Sequence, residues 1–142
     1  MADRLFLDAN VLFTAAHRPE GKAAFLFEAS RTRDPSPWLL LSSAYAIEEA
    51  RRNLANKFPD ALLRWPALLS GVQVVAQPAR APHALALPEK DQPIWAAAQA
   101  AAATHLLTGD LRDFGVHMNR PAATAGITIQ AVGEYLTAWL AR

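Results

Sequence analysis

A rhythm of short apolar runs, each followed by a stretch with helical spacing, constrains this chain more than any other feature. "RLFLDA" (4–9), "WLLLS" (38–42), "VQVVA" (72–76), "THLLT" (104–108) and "ITI" (127–129) have the length and character of buried strands. Between them, "GKAAFLFEASR" (21–31), "SAYAIEEARRNLANKF" (43–58), "PDALLRWPALLS" (59–70), "DQPIWAAAQAAAA" (91–103) and the closing "QAVGEYLTAWLAR" (130–142) read as helices. "NVLFTAA" (10–16) reads as helix or turn. Ser42 or Ser43 is placed to cap the helix that follows it, Asp91 is a plausible N-cap, and Pro66 is expected to bend or divide its helix. "RDPSP" (33–37) and the proline-rich 77–90 read as loops.

Strands that alternate with helices must run mostly parallel, with helices on both faces of the sheet. The expected fold is therefore α/β, with about four to five strands, in one domain spanning 1–142. At 142 residues the chain is long enough for one hydrophobic core. It has no cysteine, which excludes disulfides, thiolate-bound metals and thiol nucleophiles. No apolar run approaches the roughly 18–20 residues of a membrane span. "MADRLFLDANVLF" carries Asp3 and Asp8 in its short apolar stretch, which argues against a signal peptide. A cytoplasmic protein with no membrane partner is expected. The formal charge of +1, from 14 basic and 13 acidic residues, neither supports nor forbids nucleic-acid binding.

In a sheet of this kind, ligands bind beyond the carboxyl ends of the strands. Asp8 ends the first strand, and Asp110 follows the fourth by one residue. Asp91 opens a helix after a loop, and Glu48 and Glu49 lie in the second turn of the helix after strand two. Each of the last four has an ordinary alternative reading: a cap for Asp91, a turn for Asp110, a solvated face for Glu48 and Glu49. Asp8 is harder to explain that way, because an acid at the end of a central strand is costly to bury unpaired. Several carboxylates in one cleft stay ionised together only beside a cation. Mg²⁺ and Mn²⁺, which prefer oxygen ligands, suit such a cleft.

"FLDANVLFTAA", "LSSAYAIEEARRNL" and "EKDQPIWAAAQAAAATHLLTGDLRDFG" together resemble, in order, the three motifs of PIN domains, and "ITIQAVGEYLTAWL" is similar to their last strand and helix. The resemblance covers nearly the whole chain. It implies a Mg²⁺- or Mn²⁺-dependent ribonuclease, commonly the toxin of a VapBC-type toxin–antitoxin pair. It further implies an RNA substrate, a homodimer and an antitoxin protein as partner. Carried over by motif, Asp8, Glu49, Asp91 and Asp110 are the metal-site acids, with Glu48 as the neighbouring candidate for Glu49. Asp113 matches a further acid, and Asn10 and Thr108 match supporting polar residues. Gly109 stands where many toxin members carry a larger residue.

Arg51, Arg52, Lys57, Lys90 and Arg112 lie near the acids in sequence and are candidate phosphate contacts or solvated charges. Trp38, Trp65, Trp95 and Trp139 are candidate base-stacking residues, with packing the better reading. The rival function is a non-catalytic PIN-like module that binds RNA or protein. A third reading, a metal-dependent phosphatase or deoxyribonuclease, meets an obstacle for the phosphatase: its Asp nucleophile calls for Asp-x-Asp, and position 10 is Asn.

Overall fold

The computed structural model describes residues 2–142. Five strands form one sheet: β1 (Asp3–Leu7), β2 (Trp38–Ser43), β3 (Gln73–Val75), β4 (His105–Leu107) and β5 (Thr128–Gln130). Their order is β3-β2-β1-β4-β5, and every pairing is parallel. β1 lies in the middle, with Leu5 opposite both Leu40 and His105, and Phe6 opposite both Leu41 and Leu106. Successive side chains of a strand face opposite sides of a sheet. Leu5, Phe6 and Leu7 have no exposed surface, so both faces of β1 are covered. That is the burial that a continuous apolar run requires.

The longer helices are α1 (Ala9–His17), α2 (Lys22–Thr32), α3 (Ala44–Lys57), α5 (Gln92–Ala100) and α7 (Val132–Leu140). Short helices α4 (Trp65–Leu69) and α6 (Leu111–Phe114) and several 3₁₀ turns complete the chain. Pro66 does divide its segment: 59–64 is a 3₁₀ turn, and α4 begins at Trp65. Ser43, rather than Ser42, caps α3, with its Oγ accepting from the Ala46 N–H at 3.2 Å. Ser42 instead donates to the Leu7 carbonyl at 2.8 Å and ties β2 to β1. Small side chains bring α5 close to the sheet, since Ala96, Ala97 and Ala98 are all buried with Ile94 and Trp95.

Trp38, Trp65 and Trp95 are buried, and Trp139 packs edge-on to Trp38 at a centroid distance of 5.0 Å. These tryptophans serve packing. The 77–90 loop lacks regular structure until its last two residues enter a 3₁₀ turn, yet it is pinned to α5. Trp95 Nε1 donates to the His83 carbonyl at 2.7 Å, and Gln92 Nε2 donates to the carbonyls of Leu85 and Leu87 at 3.0 and 3.1 Å. Among the described residues, no helix is long and apolar enough to cross a membrane.

The chain builds β1, β2 and β3 outward in one direction, then returns to add β4 and β5 on the other side of β1. The reversal leaves a crevice between the carboxyl ends of β1 and β4, the position at which α/β sheets bind ligands. Asp8 follows β1 there, and Thr108 to Asp110 follow β4.

Candidate metal centre

At the end of β1 the Asp8 N–H still bonds to the Leu107 carbonyl at 3.1 Å, so the sheet fixes the residue's position. Its side chain turns into the crevice and caps α1: Oδ1 accepts from the Ala9 N–H at 2.7 Å. Oδ2 accepts from Thr108 Oγ1 at 2.8 Å and from Asn10 Nδ2 at 3.2 Å. Asp8 is only 4% exposed. Burial pushes its carboxyl above the usual range, against the lowering effect of these donors, and the charges of Glu49 and Asp110 push it the same way.

Thr108 joins the two strand ends. Its hydroxyl donates to Asp8 and accepts from the Asp110 N–H at 3.0 Å. Asn10 braces the same turn, its Oδ1 accepting from the Gly109 N–H at 2.6 Å. A Cβ at position 109 would lie 3.3 Å from that Oδ1, so glycine suits the close approach. Asn10 and Thr108 thus both donate to Asp8 and hold the turn that carries Asp110.

Asp110 caps α6, with its Oδ1 accepting from the Asp113 N–H at 3.0 Å. This capping folds Asp113 back toward the crevice. Carboxylate oxygens of Asp91, Asp110 and Asp113 all come within 4.8 Å of one another. Asp91 was a candidate N-cap, but its side chain makes no capping hydrogen bond to α5. It ends a 3₁₀ turn (89–91) with helical backbone angles, which turns the carboxylate toward the other acids instead. Burial and its contact with the Asp113 carboxylate push Asp91 up to about 7. Lys90 Nζ stands 2.9 Å from Asp113, 3.4 Å from Asp91 and 3.7 Å from Asp110. The ammonium holds Asp113 down to about 2, and its own pKa is raised in return. Tyr45 Oη donates to the Lys90 carbonyl at 2.8 Å and fixes this corner to α3.

The tightest acid group differs from the set carried over by motif. Asp113 lies within it, while Asp8 borders it through Thr108 and Glu49 lies outside it. Glu49 is half-buried and its charge reaches Asp8. Glu48 is exposed and forms an ion pair with Arg51, as expected of a solvated helix face. Of the two glutamates, Glu49 is the one whose charge reaches the buried aspartate. Of the candidate cations, Lys90 and Arg112 line a cavity of about 430 Å³ with Pro88, Asp110 and Asp113. Arg51 is occupied by Glu48, and Lys57 lies over the Phe13 ring.

A solved structure shares the fold: a chain of VapBC2 from Rickettsia felis, bound to a DNA fragment from their promoter. The two superpose with a TM-score of 0.61 at 12% identity, over 90% of this chain and 98% of that one. The likeness is one of fold, consistent with a PIN-like α/β domain. No protein-family model matches the chain, and neither does any curated protein sequence.

The residues present fit a hard divalent cation. The donors are all carboxylate oxygens, three of them within one ion's reach, and Asp91 is crowded enough to resist ionisation without added positive charge. An ion there would take the place of the ammonium that now stands among the acids.

Proposed function

We propose that this chain is a divalent-metal-dependent endoribonuclease of the kind that serves as the toxin in VapBC pairs. The observation that carries the reading is the convergence of Asp91, Asp110 and Asp113, with Asp8 buried beside them, in the crevice where the sheet order reverses. Asp91, Asp110 and Asp113 would hold Mg²⁺ or Mn²⁺, with Asp8 and Glu49 contributing directly or through water. A bound divalent ion supplies Lewis acidity toward water and the phosphodiester.

The remaining roles belong to the chain. Thr108 and Asn10 fix the rotamer of Asp8 and the turn that carries Asp110. Lys90, freed from the acids, and Arg112 face the adjoining cavity and offer donors to phosphate oxygens. Because the likeness is to a VapBC structure, we extend the proposal to an antitoxin partner, and the PIN resemblance adds a homodimer.

The test is cleavage of a labelled single-stranded RNA with Mn²⁺, with Mg²⁺ and with chelator, by the natural chain and by Asp8→Asn. Cleavage should need the metal and fall by about a hundredfold or more in the variant. Undiminished cleavage by Asp8→Asn, or in chelator, overturns the mechanism. Metal binding without cleavage would favour the non-catalytic module.

A further inference from the structure

A second cavity of about 430 Å³ begins where the first one ends along the chain. Asp110 lines the first, whereas Thr108 and Gly109 line the second, together with Asn10, Arg18, Lys22 and the start of α7. Both cavities open at the carboxyl edge of the sheet, and two of the clustered acids, Asp110 and Asp113, line the first of them. Each carries two cations: Lys90 and Arg112 in the first, Arg18 and Lys22 in the second.

The second pair has no partner within the protein. Among the described residues, neither Arg18 nor Lys22 forms a salt bridge, and Glu20 in the same turn does not line the cavity. The Lys22 side chain is exposed and reaches across the cavity to α7. Its Nζ lies 3.5 Å from where a Cβ of Gly133 would stand, over the first turn of α7. The turn presents backbone N–H groups, of which that of Ala131 is already taken by Glu134 Oε1 at 3.0 Å. The wall beneath is open backbone at Gly109, Ala131 and Gly133. An anion entering here would meet two cations and no carboxylate.

We infer that Arg18 and Lys22 form a phosphate subsite, so that a single-stranded polynucleotide crosses the sheet edge from this cavity, over the acids, to Lys90 and Arg112. The inference rests on the metal-centre reading and adds to it the path of the strand. Phosphate contacts of this type position a chain without reading its bases. The second cavity therefore sets how much strand the site engages and leaves sequence preference to other contacts.

The experiment compares the natural chain with Arg18→Gln/Lys22→Gln. Binding of a fluorescent eight-nucleotide RNA is measured across a salt series in the Asp8→Asn background, which suppresses cleavage. Mn²⁺ affinity is measured by calorimetry with Asp8 intact. Two lost contacts should lower the slope of log K against log salt by about 1.4, at roughly 0.7 per single-strand phosphate contact. Mn²⁺ affinity and the thermal midpoint should stay unchanged. The same change of two charges at the other end of α2, Arg31→Gln/Arg33→Gln, should leave the slope as it was. An unaltered slope in Arg18→Gln/Lys22→Gln with Mn²⁺ binding intact overturns the subsite alone, as does an equal loss in the control. Failure of the natural chain to bind Mn²⁺ overturns the metal-centre reading, and the subsite with it.

Discussion

The two ends of β1 each carry an aspartate, and the chain treats them in opposite ways. At the amino end, Asp3 accepts from the Tyr135 hydroxyl at 2.6 Å and pairs with Arg142 at 2.8 Å. Burial alone would raise its pKa, but the hydroxyl and the guanidinium outweigh it and hold the carboxyl low. At the carboxyl end, Asp8 is more deeply buried, receives only neutral donors and is raised. An acid with a matched cation ties secondary structure together, here β1 to the C-terminal helix. An acid buried beside other acids costs stability, which marks it as a candidate functional group.

The widest separation between the two ends should appear in paired variants. Asp8→Asn should remove most of the proposed cleavage and leave the metal-free fold as stable as before, or more so. Asp3→Ala should leave cleavage intact and cost about 1–3 kcal/mol in urea unfolding, the range for losing a charged hydrogen bond. Equal losses of activity in both would erase the distinction.

The pH dependence should separate the ends next. Asp91 is raised from 3.8 to about 7, so without metal its contribution is fully present below pH 3.8 and lost as the pH rises through about 7. Asp3 is lowered, so its contribution is present above pH 3.8 and lost as the pH falls through its folded value. His105 is lowered by burial and works the other way over the same range, so the comparison is with Asp91→Asn. Between pH 5 and pH 8 the urea midpoint of the metal-free natural chain should fall relative to that of Asp91→Asn, and saturating Mn²⁺ should remove the difference. Parallel midpoints in the two proteins without metal would remove the charge-crowding argument.

A smaller effect is expected from Lys90→Ala. Removing the tethered ammonium should lower the metal-free midpoint and tighten Mn²⁺ binding by calorimetry, because the ion no longer displaces Lys90. Weaker binding would show that Lys90 builds the site rather than competing for it. The smallest contrast lies within α3. Glu49→Gln should weaken Mn²⁺ binding roughly tenfold, the lower end of the effect of losing a supporting group. Glu48→Ala should change stability by no more than about 0.5 kcal/mol and leave Mn²⁺ affinity alone.

Much of this fold is legible in the residues. The five apolar runs became five parallel strands, and Pro66 broke its helix where its missing N–H requires. The ends of α5 were less legible: 91–103 reads as one helix, yet α5 covers only Gln92–Ala100. Alanine favours helix but does not say where a helix stops. Asp91 illustrates the same limit at the site. A polar residue before a helix reads as a cap, and only the backbone angles of the preceding turn show that its carboxylate faces the acids instead.

Lys90 and the pair Arg18 and Lys22 mark a further step. Lys90 was visible as a cation near acids in sequence, but not as the group standing among three of them. Arg18 and Lys22 lie in "HRPEGK", outside the acidic motifs, and only the cavity they share with Gly109 and Gly133 reveals them.

By itself the sequence determined the alternation of strand and helix, hence a parallel sheet, and placed an acid after β1 and another after β4. It did so because apolar periodicity and the cost of burying charge are local properties of the chain. The tertiary structure decided which acids come within one ion's reach of one another and which cations share a cavity at the same sheet edge. Those outcomes depend on strand order and on the rotamers that packing allows, which join residues as far apart as Asp8 and Thr108.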